Sequence, residues 1–225
     1  MNELLVTQRI EELGIVPVVR APSRELADRA IDALLQGGLS IFEVTLTVPN
    51  ATELIASLIA RLGDRVVIGA GTVLNADDAE RCIEAGAQFI VSPGFDEATV
   101  ELARRRGVAV MPGALTPTEV IRAWQSGPAM VKIFPCSAMG GAKYLKALRG
   151  PLPNVKLLPT GGVNLETAAD YIHAGASALG VGGELVDAAA LKAGRTDELT
   201  HRARSLIQAV QSARSHNGAS SSVTA

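Results

Sequence analysis

Glycine recurs along this chain at positions 14, 38, 63, 86, 107, 127, 150 and 175, at spacings of 24, 25, 23, 21, 20, 23 and 25 residues. Each of these glycines precedes a short β-prone apolar segment: IVPVVR, SIFEVTL, RVVIGAGTV, QFIVSPG, AVMPGAL, MVKIFP, KLLPTGG and ALGVGG. The stretches between, such as SRELADRAIDALLQG, NADDAERCIEAG and DEATVELARRRG, carry apolar residues at helical spacing. Each unit is therefore a strand, a loop and a helix, with the glycine as the helix C-cap. Thr116-Pro117-Thr118-Glu119 predicts a capping box with proline at N1, and Asn75 and Asn164 are suited to cap their own helices.

Strands that alternate with helices imply a parallel sheet. Eight such units predict a (β/α)8 TIM barrel, an α/β fold, as a single domain over residues 1–215 with an N-terminal helix. An open doubly wound sheet explains the units less well, because no G-x-G-x-x-G follows the first strand. A leucine-rich solenoid has a similar period, but its L-x-x-L-x-L signature is missing. The last helix reads DELTHRARSLIQAVQSARS, and the small polar end, residues 216–225, is expected to be a disordered tail.

Composition narrows the partners. A net charge of −2 gives no electrostatic reason to expect nucleic acid or an acidic membrane surface, and 3% aromatics offers few stacking platforms. The opening MNELLVTQRIEELG has neither a basic nor an apolar signal region, and no apolar run is long enough to span a membrane. Cys82 and Cys136 lie far apart and read as reduced thiols. The expectation is a cytoplasmic protein.

In a (β/α)8 enzyme the site lies at the C-terminal ends of the strands. In the second segment, alternation puts Glu43, Thr45 and Thr47 on one face and Phe42, Val44 and Leu46 on the other. The apolar face must meet the helices, so the polar face looks inward. The sixth segment repeats the pattern: Lys132 shares its face with Met130 and Phe134, away from Val131 and Ile133. Two inward charges of opposite sign can meet across the mouth of the barrel. A purely structural ion pair is the competing explanation, and buried pairs contribute weakly to stability.

Five lysines stand against sixteen arginines. Lys143, Lys146 and Lys192 fall in helical or loop contexts, and Lys156 lies four residues before Thr160, roughly 13 Å lower at ~3.3 Å per residue. Lys132 is the lysine at the right depth. Burial favours the neutral amine, which can attack a carbonyl and form a Schiff base. The protonated imine then stabilises a neighbouring carbanion as an enamine, so a C–C bond is made or broken without a metal. Glu43 is the candidate acid and base. His173, His201 and His216 show no ligand spacing, so no metal and no cofactor is expected.

Glycine-rich PTGGV (159–163) and GVGG (180–183) follow the seventh and eighth strands, where such barrels bind phosphate through backbone N–H groups. GAGT (69–72) is a turn suited to a carboxylate. In order and spacing, EVTL, GAGTV, SPG, MPG, KIFP, KALRGP and PTGGV resemble the class I aldolases of 2-keto-3-deoxy-6-phosphogluconate (KDPG) and 4-hydroxy-2-oxoglutarate (KHG), over residues 10–190. The resemblance implies a homotrimeric barrel that reversibly cleaves a keto-acid phosphate to pyruvate and glyceraldehyde 3-phosphate, through an imine on Lys132 with Glu43 relaying protons. It implies that Gly71 and Thr72 hold the pyruvyl carboxylate, that Phe134 and Pro93 wall the pocket, and that Thr160 orients the substrate, with Thr45 on the inward face beside them. Gly161, Gly162, Gly182 and Gly183 would take the phosphate.

Two positions depart from that pattern. Thr47 stands where many relatives carry a carboxylate-binding arginine, and Gly183 where many carry a serine. Arg20, ending the first strand, is the expected replacement cation, as in relatives sharing the T-V-P form; its charge would also favour a neutral Lys132. Three other readings stay open: the galactonate epimer as substrate, a phosphate-binding epimerase or thiamine-phosphate-synthase-like enzyme, and a non-catalytic trimeric scaffold. The second leaves the Lys132–Glu43 pair unused.

Overall fold

The structure, a computed structural model, describes residues 2–220. The strands are β1 (Ile15–Val19), β2 (Ile41–Thr45), β3 (Val67–Gly71), β4 (Phe89–Val91), β5 in two pieces (Ala109–Met111 and Gly113–Ala114), β6 (Val131–Ile133), β7 (Leu157–Pro159) and β8 (Leu179–Val181). The helices that bear on the site are α1 (Glu3–Leu13), α2 (Arg24–Gln36), α3 (Ala51–Leu62), α4 (Ala76–Glu84), α5 (Glu97–Arg105), α6 (Pro117–Gln125), α7 (Ala142–Arg149), α8 (Ala168–His173), α9 (Ala188–Lys192) and α10 (Thr196–Ser220). Helix α10 thus takes in the first residues of the expected tail; the remainder, 221–225, lies outside the described residues.

Local signals place these elements. Thr116 and Glu119 form the capping box of α6, with Pro117 at its start. Asn75 caps α4 through a bond from the Asp78 N–H. Asn164 bonds the Thr167 N–H in the turn ahead of α8, one turn earlier than the helix itself.

All strand pairings are parallel and follow chain order. The first piece of β5, then β4, β3, β2, β1 and β8 form one curled run of six; the second piece of β5, then β6 and β7 form a run of three. The fifth segment breaks at Pro112, which has no N–H to give to a ladder. Its carbonyl still accepts from the Lys132 N–H at 2.9 Å. Beyond β7, Thr160 bridges to Gly180 of β8.

Alternate strand residues separate into two apolar layers. Val19, Phe42, Val44, Ile68, Ile90, Val110, Val131, Ile133 and Leu157 join the helices in the larger one. Val16, Ile41, Val67, Phe89, Val91, Met111, Met130 and Leu158 form the inner one, which Val6 and Ile10 of α1 cover. Lys132 follows Met130, and Glu43 follows Ile41, on the inner side of their strands. This is the inward orientation expected from alternation.

Candidate active site

Glu43 and Lys132 meet inside the sheet. Lys132 Nζ stands 3.6 Å from Glu43 Oε1, and the two side chains are 7% and 1% exposed. Glu43 Oε1 is fully buried and has no hydrogen-bond partner among the described residues. Such a group is costly unless it has work to do. Nζ also lies 5.5 Å from the centre of the Phe134 ring, two residues on along the same face. By contrast Lys156 pairs with Glu11 of α1 at 2.6 Å, at the opposite end of the strands.

The upper end of β2 carries a hydroxyl chain. Buried Thr45 donates to the Val19 carbonyl at 3.1 Å, and its Oγ1 lies 2.8 Å from Oγ1 of exposed Thr47. With the Thr45 hydrogen committed to Val19, Thr47 donates to Thr45 and keeps its lone pairs for the mouth. At the end of β3, Thr72 adopts φ 58, a left-handed conformation that a β-branched residue rarely takes.

A cavity of about 870 Å³ opens past the ends of β1, β7 and β8. Its lining includes Arg20, Thr47, Phe134, Thr160, Gly161, Gly162, Gly182 and Gly183. Lys132, Glu43, Thr45, Gly71 and Thr72 are not among its lining residues; Phe134, 37% exposed, is the contact between the cavity and the Lys132 amine. Pro93 lines a neighbouring cavity of about 330 Å³, also walled by Phe134. Arg20 is exposed and makes no hydrogen bond or ion pair among the described residues, so its guanidinium is free for an anion.

Two carboxylates also line the large cavity: Glu184, and Asp187 at the start of α9. Both lie just past the GVGG loop, the only sequence cue they have. Asp187 accepts from the Ala189 and Ala190 N–H groups at 2.8 and 3.0 Å and faces Arg202 at 3.4 Å. Those N–H bonds, Ala190 foremost, hold its carboxyl below the ordinary range, so it stays charged. Cys136, beside the cis Phe134–Pro135 peptide bond, is buried, and that burial raises its thiol. The described residues contain no group of three or more His, Cys, Asp or Glu side chains placed to hold a metal, and no helix long and apolar enough to cross a membrane.

A lysine amine and a carboxylate buried together on the inner face of parallel strands form a pair suited to an aldolase, an enzyme of the lyase class. Comparison with known proteins narrows the class. The chain belongs to the KDPG and KHG aldolase family, whose model matches residues 6–202. It is 36% identical to the 2-dehydro-3-deoxy-phosphogluconate aldolase of Treponema pallidum (strain Nichols) over 208 residues, 92% of this chain and 98% of that one. It is 38% identical to the KHG/KDPG aldolase of Escherichia coli (strain K12) over 195 residues, 86% of this chain and 91% of that one. Among solved structures it resembles the KDPG aldolase of Legionella pneumophila with pyruvate captured as a covalent carbinolamine, with a TM-score of 0.82 at 29% identity over 89% of this chain and 97% of that one.

Proposed function

We propose that the chain is a class I aldolase that cleaves KDPG to pyruvate and glyceraldehyde 3-phosphate, and 4-hydroxy-2-oxoglutarate to pyruvate and glyoxylate. The observation that carries this reading is the buried Lys132 amine 3.6 Å from an otherwise unbonded Glu43 oxygen. The amine adds to the C2 ketone and water leaves, forming the imine. A base then takes the C4 hydroxyl proton, the C3–C4 bond breaks, and its electron pair moves into the imine as an enamine while the aldehyde departs. Protonation at C3 and addition of water release pyruvate and the free amine. Glu43 is the group placed to move these protons. The carbinolamine in the Legionella relative supports the same chemistry on Lys132 here.

The reading extends to the assembly. It takes the two strand runs as one closed (β/α)8 barrel, supported by the one-residue break at Pro112 and the Thr160–Gly180 bridge. The homotrimer follows from the family resemblance, and a cytoplasmic setting is proposed beside it. The deciding experiment is borohydride reduction in the presence of pyruvate, read by mass spectrometry. Adduct mass on the Lys132 peptide supports the aldolase, and unmodified protein removes it.

Arg20 and Thr47 line the cavity together, with the cation unpaired. Arg20→Ala is therefore expected to raise the KM for pyruvate in the aldol direction by about tenfold or more, the loss of a charge-assisted contact. Thr47→Ala is expected to change it much less. Equal, small effects would take Arg20 out of the carboxylate site.

At the phosphate end the loop glycines favour an anion, while exposed Glu184 opposes a doubly charged one. Glu184→Gln is expected to lower the KM for the phosphorylated substrate about fivefold, as like-charge repulsion at near-surface dielectric suggests, with a smaller change for 4-hydroxy-2-oxoglutarate. Steady-state kinetics on both substrates, and on the galactonate epimer, measures the preference directly.

A further inference from the structure

Residues expected in the site lie against glycines of neighbouring strands. Thr160 packs on Gly180, and the Pro93 backbone packs on Gly113. Glu43 packs on Gly71: a β-carbon added there would come closer than 3.0 Å to Oε1, Cγ and Cδ of the glutamate at once. Pairing explains the contact. Glu43 is level with Gly69, so its side chain runs up the inner face of the sheet and lies lengthwise across Gly71. The oxygen that a methyl group would strike is Oε1, the atom that faces the Lys132 amine and has no hydrogen bond to hold it.

Gly71 carries no left-handed φ, so its backbone conformation is open to any residue. Its bareness is required by the glutamate, not by a turn. We propose that Gly71 is a positioning residue whose missing side chain forms the recess that aims the Glu43 carboxylate at Lys132. This goes beyond the carboxylate-turn role expected from GAGT, and it rests on the aldolase reading above. Packing and the ion pair with Lys132, with no hydrogen bond to Oε1, hold the base in place.

The test is a cycle of Gly71→Ala, Glu43→Asp and the double variant. Three quantities are measured: exchange of pyruvate methyl protons with deuterated water, aldol cleavage, and borohydride trapping of pyruvate on Lys132. Gly71→Ala is expected to slow exchange and kcat by about 10²-fold, the scale of a misplaced general base, with little change in KM. Trapping on prolonged incubation persists. Adding Glu43→Asp, whose shorter side chain leaves room for the methyl group, costs less than threefold more, or restores activity. Losses that multiply across the cycle overturn the proposal, as does Gly71→Ala exchanging at the wild-type rate.

If Gly71→Ala does not fold while the double variant does, the clash with Glu43 is shown by the rescue. If neither folds, Gly71 serves strand packing and the proposal falls. A wild-type chain that neither exchanges nor traps pyruvate overturns the aldolase reading itself and this inference with it, a result separate from any difference among variants.

Discussion

Lys132→Met is expected to abolish aldol cleavage, by on the order of 10⁵-fold or more as for loss of a covalent nucleophile, and to abolish the borohydride adduct with pyruvate. Methionine keeps the length and apolar stem of the side chain, so the inner layer with Met130 and Leu158 stays filled. What it removes is the amine and the charge opposite Glu43. A buried pair that loses one partner is destabilised by about 3–5 kcal/mol, so the melting temperature is expected to fall as well. Adding Glu43→Gln removes the stranded charge and is expected to recover part of that fall and none of the activity. The split separates the structural share of the pair from its chemistry. An adduct that persists in Lys132→Met would place the imine on another lysine and overturn the site.

The second large effect belongs to the carboxylate. Glu43→Gln is nearly isosteric and keeps the packing on Gly71, but it cannot accept a proton. Cleavage and exchange of the pyruvate methyl protons are expected to slow by about 10²–10⁴-fold, the usual contribution of a positioned acid or base. Lys132 still holds its amine, so trapping with borohydride continues at a reduced rate. The measurement is exchange followed by proton NMR beside trapping followed by mass spectrometry. Full exchange in Glu43→Gln would move the proton-transfer role to another group, with the Thr45–Thr47 hydroxyl chain, further along the same strand face, the next candidate.

Much of this site is written in strand alternation. Met130 and Ile41 belong to the inner layer, and the charged residues two places on share their side. Parity and the glycine repeat were enough to turn Lys132 and Glu43 toward each other, and depth alone set aside Lys156, which the structure pairs with Glu11. Capping chemistry was equally legible at Thr116 and Asn75, because a cap is a contact within three residues.

What was not legible depends on neighbours that a linear pattern does not name. Gly71 reads as a turn residue until the side chain of the adjacent strand is laid across it. The interruption at Pro112 needed the pairing of β5 with two different partners. Glu184 and Asp187 enter the cavity through the path of the chain after β8, which no periodicity describes. Thr72 shows no sign in sequence of its left-handed backbone, since threonine is a poor residue for it.

The two strand runs divide the buried Glu43–Lys132 pair between them. Glu43 belongs to the run of six and Lys132 to the run of three, and the runs meet through the Pro112 break and the Thr160–Gly180 bridge. During refolding, helical signal can return as each unit forms locally, but the amine and the carboxylate come within reach of each other only when these seams close, and such long-range parallel pairing is slow. On the proposed function, recovered turnover is therefore expected to trail the return of helical circular dichroism signal during refolding.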